Sequence, residues 1–291
     1  GSEMCIRDSY GGMPKLNLKN PEVEKFITDV ACYWIRECDI DGWRMDVGDE
    51  ISHFFWKNFR KAVKAVKKDM LIIGEIWHYA GDFLEGDEWD TVMNYPFYLN
   101  MIDLLADEKI TVSQFIQNLG YLKGRLNKKC YPLMWNLIDS HDTARFLHLC
   151  KNNKKKQHLA AAFQLLLPGM PMIYYGDEYA MPGANDPDCR RGMYWDEEYQ
   201  DKEMYEWYKR LIQVRKSHAC IVEGELAGSV TEDEEGTVVL IRKNGEETIA
   251  MIFNCSSSAK KFNEYTQKYN LLTENTFDGN VEGFDAAVIV L

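Results

Sequence analysis

Three short stretches each deliver one acidic side chain close to the end of an apolar run. They are Asp41-Gly42-Trp43-Arg44-Met45-Asp46, Ile72-Ile73-Gly74-Glu75-Ile76-Trp77 and Leu137-Ile138-Asp139-Ser140-His141-Asp142. Carboxyl groups can divide labour: an ionised one attacks an electrophilic carbon, and a protonated one gives its proton to a leaving oxygen. Arg44 lies two residues before Asp46, so strand alternation puts both side chains on one face, where a guanidinium favours the ionised carboxylate. A carboxyl that is to keep its proton requires instead an apolar or acidic neighbourhood, and Ile76, Trp77 and nearby carboxylates could supply one to Glu75.

Side chains from separate strand ends converge at the top of a parallel α/β sheet, and the rest of the chain fits that architecture. Asn20-Pro21 reads as an N-cap followed by proline at the first helical position, and Phe26, Ile27, Val30, Trp34 and Cys38 recur at helical spacing as far as Asp39. A second helix carries Ile51, Phe54, Phe55, Phe59, Val63 and Val66 on one face. Strands are expected at residues 42–47, 70–77, 91–95, 133–138 and 170–175, each followed by a helix or a long loop. After residue 219 the pattern changes to antiparallel. Residues 238–242 and 248–253 flank Lys243-Asn244-Gly245, and Asn-Gly is a strong hairpin signal.

At 291 residues and 46% hydrophobic the chain is globular and long enough to bury a large core. A formal charge of -12 argues against nucleic acid, whose phosphates need a basic surface. The eight cysteines form no C-x-x-C pair or dense framework, so they read as free thiols rather than zinc ligands or disulfides, and a cytoplasmic location is expected. No apolar run is long enough to span a membrane. Residues 1–9 have no periodicity and read as a non-native or artefactual segment.

On these strand-end motifs the chain resembles the α-amylase family of glycoside hydrolases, in its neopullulanase, cyclomaltodextrinase and maltogenic amylase branch. The matching stretches are Met13-Pro14-Lys15-Leu16-Asn17, 41–46, Gly74-Glu75-Ile76-Trp77-His78, Val92-Met93-Asn94-Tyr95, Ser140-His141-Asp142, Gly169-Met170-Pro171 through Tyr175-Gly176-Asp177-Glu178, and Asp186-Pro187-Asp188-Cys189-Arg190-Arg191. The resemblance implies a (β/α)8 TIM-type barrel followed by a small antiparallel β-sandwich, and retaining hydrolysis of α-glucosidic bonds through a covalent glycosyl-enzyme. Asp46 would be the nucleophile, Glu75 the general acid/base and Asp142 the transition-state stabiliser. Arg44, His141, Trp77, His78 and Glu50 would bind substrate, an α-glucan oligosaccharide, with no cofactor and no metal assigned. Calcium and a homodimer belong to the expectations for a full-length relative only.

Plainer roles compete for single residues. A lone Asp at a strand end is more often a cap or turn former, and it is the ordered set of three that carries the reading. Trp77 as core filling and His78 as a structural hydrogen-bonding residue are the alternatives for those two, while Arg190 and Arg191 read first as a solvated or salt-bridged loop and second as a substrate clamp. Val47-Gly48-Asp49-Glu50 after the nucleophile resembles the ending found in the neopullulanase branch, pointing to cyclodextrins, pullulan or short maltodextrins. The resemblance accounts only for the fourth to eighth barrel strands. The chain is therefore expected to be an N-terminally truncated copy: residues 10–219 as five-eighths of a barrel lacking strands one to three, with an open edge, and residues 220–291 as the sandwich. Alternatives are a glucanotransferase or oligo-α-glucosidase and, from another class, a non-catalytic carbohydrate-binding or partner subunit.

Overall fold

The computed structural model describes residues 16–291; the 1–9 segment, residues 10–15 and hence the first part of the 13–17 stretch lie outside the described residues. The chain divides into two compact units, Gly1–Met93 and Asn94–Leu291.

In the first unit, helix α1 (Pro21–Cys38) begins where the Asn20 side chain accepts the Glu22 N–H at 2.9 Å, with proline at a position that needs no hydrogen-bond donor. Strand β1 (Gly42–Met45), helix α2 (His53–Val66), β2 (Leu71–Gly74) and β3 (Thr91–Val92) follow, and the strands form a parallel sheet in the order β1-β2-β3. Register pairs Met45 with Gly74, so the residues after β1 and β2 emerge side by side. The strand β1 is an edge of this sheet, as expected for the first strand, and Phe26, Tyr33 and Trp34 of α1 are exposed. On α2 the expected face shifts: Phe54 is exposed, and Trp56 is buried and donates its Nε1–H to the Gly48 carbonyl at 2.9 Å.

The parallel strands are shorter than their apolar runs. The first stops at Met45 because Val47 turns left-handed, with φ 44° and ψ 44°. The third stops at Val92 because Asn94, read above as part of a strand, caps helix α3 (Tyr95–Met101) by accepting the Phe97 N–H at 3.2 Å.

In the second unit α3 runs into a π-helical turn at Ile102–Ala106, and α4 (Val112–Arg125) starts at a capping box of Thr111 and Gln114. Strands β4 (Trp135–Leu137) and β5 (Met170–Met172) pair in parallel. Helices α5 (Phe146–Leu149) and α6 (Lys154–Leu166) follow β4, and α7 (Lys202–Ser217) and α8 (Ala219–Glu223) come after β5.

The chain then forms β6 (Glu225–Glu232), β7 (Thr237–Asn244), β8 (Glu247–Asn254), β9 (Lys260–Lys261), β10 (Tyr269–Asn270), β11 (Asn275–Thr276), β12 (Asn280–Val281) and β13 (Asp285–Val290). Six of them make an antiparallel sheet in the order β11-β10-β13-β8-β7-β6, and β9 pairs with β12. Strand alternation divides this sheet between two cores. Val238, Leu240, Met251 and Phe253 join Phe115, Phe163 and Leu211 of the helices, whereas Val239, Ile252 and Ile289 pack with Phe262, Phe277 and Val281. The hairpin forms where Asn-Gly signalled it, one residue later: Asn244 pairs with Glu247, and Gly245 with φ 60° leads the two-residue turn, as a type II′ turn requires. Strand β6 escaped the sequence reading because most of its side chains face solvent. The described cysteines are free, and no described helix is long and apolar enough to cross a membrane.

Candidate active site

In the first unit, one guanidinium joins two of the predicted acids. Arg44 hydrogen-bonds the Asp46 carboxylate through Nη1, and its Nη2 lies 2.7 Å from Glu75 Oε1. The second Glu75 oxygen accepts the Val47 N–H at 2.9 Å, and the Glu75 N–H donates to the Met45 carbonyl at 2.9 Å. Asp46 remains open, with its side chain 73% exposed, against 27% for Arg44 and 4% for Glu75. The arrangement offers one accessible carboxylate beside one sheltered carboxyl, linked through a cation that neutralises part of their repulsion.

The apolar or acidic surroundings expected for Glu75 are not what its oxygens meet. They meet a guanidinium and a backbone N–H, because the parallel register sets Arg44 opposite Ile73 and the long side chain reaches past the end of both strands. Val47 adopts a left-handed conformation that a β-branched residue avoids, at a cost of ~1–3 kcal/mol. Its N–H to Glu75 and the Gly48 N–H to the Glu75 carbonyl at 3.1 Å hold it there.

Behind the strand ends sits Trp89, fully buried and stacked on Phe83 with ring centroids 4.1 Å apart. A Cβ on Gly48 would stand 2.6 Å from its ring and one on Gly74 2.2 Å, so these two glycines admit the indole that backs both acids. Trp77 is exposed rather than core filling. His78 Nε2 lies 3.1 Å from Asp49 Oδ2, a partner the sequence reading did not assign. Glu50 is half-buried at the end of the 3-10 turn Gly48–Glu50.

In the second unit, His141 and Asp142 ride the loop after β4. His141 Nε2 lies 3.2 Å from Asp142 Oδ2, and Arg190 donates through Nη2 to Asp142 Oδ1 at 3.1 Å and through Nε to the His141 carbonyl at 2.8 Å. Arg190 also pairs with Asp186, and Arg191 with Asp188. The loop is salt-bridged as read, and in addition Arg190 holds the predicted stabiliser, which only its place in the 186–191 stretch hinted at. The structure thus brings together Arg44, Asp46 and Glu75 in one unit, and His141, Asp142 and Arg190 in the other.

The alpha amylase catalytic-domain family matches residues 3–224. The cyclomaltodextrinase of Geobacillus thermopakistaniensis is 46% identical over 247 residues, which cover 85% of this chain and 42% of that protein. The intracellular maltogenic amylase of Bacillus subtilis is 44% identical over 243 residues, covering 83% of this chain and 41% of that protein. A solved cyclomaltodextrinase structure superposes with a TM-score of 0.91 at 34% identity, covering 98% of this chain and 51% of that one. The chain belongs to the alpha-amylase family. Its fold class follows: five parallel strands of a (β/α)8-type barrel among the described residues, then an antiparallel sheet domain. It spans less than half the length of the two curated relatives.

Proposed function

We propose that the chain carries the carboxyl pair of a retaining glycosidase acting on α-glucosidic bonds in cyclodextrins, pullulan or maltodextrins. The supporting observation is the Arg44 bridge, which keeps Asp46 and Glu75 together and leaves Asp46 open to a sugar. Retention calls for two carboxyl groups about 5 Å apart, a spacing that one guanidinium contacting both is suited to maintain.

Asp46 attacks the anomeric carbon, and the bond to the leaving oxygen breaks as Glu75 delivers a proton to it. Water, deprotonated by Glu75, then displaces Asp46 and restores both groups. For this Glu75 must take up a proton, and the Arg44 contact to Oε1 is the one that has to yield. In the second unit Asp142 and His141, held by Arg190, would grip sugar hydroxyls; in the first unit Trp77 offers an exposed ring for stacking, and Glu50 and His78 follow the ends of β1 and β2. The names cyclomaltodextrinase, maltogenic amylase and neopullulanase, borne by relatives of this chain, support this choice of substrates.

The open edge at β1 and the exposed aromatics of α1 further support low solubility and low activity for residues 1–291 alone. Sugar release from cyclodextrin, pullulan and starch, by this chain and by a version extended N-terminally to the length of its relatives, tests both points. The extended form should hydrolyse and the short one should not; cyclodextrin hydrolysis by residues 1–291 would overturn the second point, and no hydrolysis by the extended form the first.

A further inference from the structure

A second grouping of two carboxyls and one arginine lies inside the second unit, with Asp139 1%, Asp177 0% and Arg145 0% exposed. Asp139 Oδ1 accepts the Phe146 N–H at 2.5 Å. Its Oδ2 is buried and meets no protein N–H donor among the described residues. Asp177 is fully engaged as an acceptor: Oδ1 receives Arg145 Nη1 at 3.2 Å, and Oδ2 receives the Tyr174 N–H at 3.3 Å. The two carboxyls act on each other inside the same buried cluster. Two carboxylates buried beside one arginine carry one negative charge too many, and a proton held between them removes it. With that proton the group of two acids and Arg145 is neutral, and without it a net negative charge is buried.

We infer that Asp139 keeps a proton at neutral pH and donates it to Asp177, and that this bridge positions the 139–146 loop on which His141 and Asp142 ride. The loop is fastened at both ends by the same cluster. Asp139 holds the Phe146 N–H; Arg145 reaches Asp177 and the Tyr175 carbonyl at 2.9 Å, lies over the Tyr174 and Tyr175 rings, and gives its own N–H to the Gly183 carbonyl at 2.9 Å. Between these ends Ser140 accepts the Asp142 N–H at 3.2 Å and Thr143 accepts the Ser140 N–H at 3.0 Å.

The other groups acting on the pair add no positive charge. Glu178 is acidic. Burial pushes the Tyr98 hydroxyl on α3 and the Cys150 thiol after α5 up to about 12 each, and pushes Tyr208 on α7 and Tyr174 upward as well, so all four stay neutral. Burial likewise raises Asp139 well above its ordinary range, with the Asp177 charge adding to it, and raises Asp177 to about 7 against the pull of Asp139 and Arg145.

A carboxyl raised in the folded state contributes stability that is present at low pH and lost as pH climbs through the folded value, which for Asp139 lies well above the ordinary carboxylate range. The test does not depend on catalysis: melting of the 291-residue chain across pH 6–10, wild type against Asp139→Asn, whose Nδ2–H replaces the shared proton permanently. Above pH 7 the folding constant of the wild type should fall up to about tenfold more per pH unit than that of the variant. Parallel profiles would overturn the inference. Should Asp139→Asn not fold, carboxyl 13C titration of the wild type decides. A single step above neutrality, sensed by the carboxyl carbons of two aspartates, should mark the one shared proton, distinct from Asp285, which burial pushes up to about 6 and which Asp285→Asn identifies. Titration of every aspartate but Asp285 near the ordinary value of about 3.9 would refute the shared proton.

Discussion

Each unit holds a cluster in which one arginine accompanies two carboxyls, and the resemblance between these clusters ends at solvent. In the first, Arg44 touches Asp46 and Glu75 at the mouth of two strands, and Asp46 is largely exposed. In the second, Arg145, Asp139 and Asp177 are sealed from water. An exposed carboxylate keeps its charge cheaply and can meet a substrate. Buried carboxyls have to shed charge, so they share a proton and serve as a clamp. Position in the sequence does not separate the two cases, since both sets sit at or just beyond C-terminal strand ends. The depth at which the next helix covers them does.

The largest expected effect breaks the exposed pair. Asp46→Asn or Glu75→Gln, in a form extended to the length of the relatives, should lower turnover by about 10²–10⁴-fold with melting unchanged; near-normal hydrolysis by either variant would remove its role. Breaking the buried group should do the reverse in kind. Arg145→Met leaves two buried acids without their cation and should cost about 3–5 kcal/mol of stability, read by urea unfolding. A loss below about 1 kcal/mol would mean that the cluster does not hold the loop.

A control of similar size comes from the sheet. Phe253 stacks on Phe163 at 4.1 Å, and Phe253→Ala should cost about 3–5 kcal/mol of stability without altering the pH profile. The smallest effect is expected at the rim, where Arg190 is 46% exposed and its ion pairs are screened. Arg190→Ala should shift stability by no more than about 1 kcal/mol while raising KM. An unchanged KM would return Arg190 to a purely structural part.

Much of this was legible in the sequence because β strands alternate. The two-residue spacing of Arg44 and Asp46 was enough to predict their contact, and the apolar runs located all five parallel strands. What alternation cannot give is register between strands, and it is register that brings Arg44 to Glu75. Nor does local pattern show which glycines face a distant ring, so Trp89 behind Gly48 and Gly74 went unread. Asp139 and Asp177 both appear in the motifs quoted at the outset. Their pairing stayed hidden because it joins positions far apart in the chain, and because their burial depends on helices packed over them.

The sharpest test of the contrast is to ask which carboxylate becomes covalently glycosylated. An activated α-maltosyl fluoride needs no acid to leave, so in the extended Glu75→Gln variant the first step proceeds while the second, which needs Glu75 as base, stalls. Peptide mass spectrometry should then find a maltosyl adduct on Asp46 and none on Asp139 or Asp177. An adduct on another residue, or none at all, would contradict the assignment of Asp46 as the nucleophile.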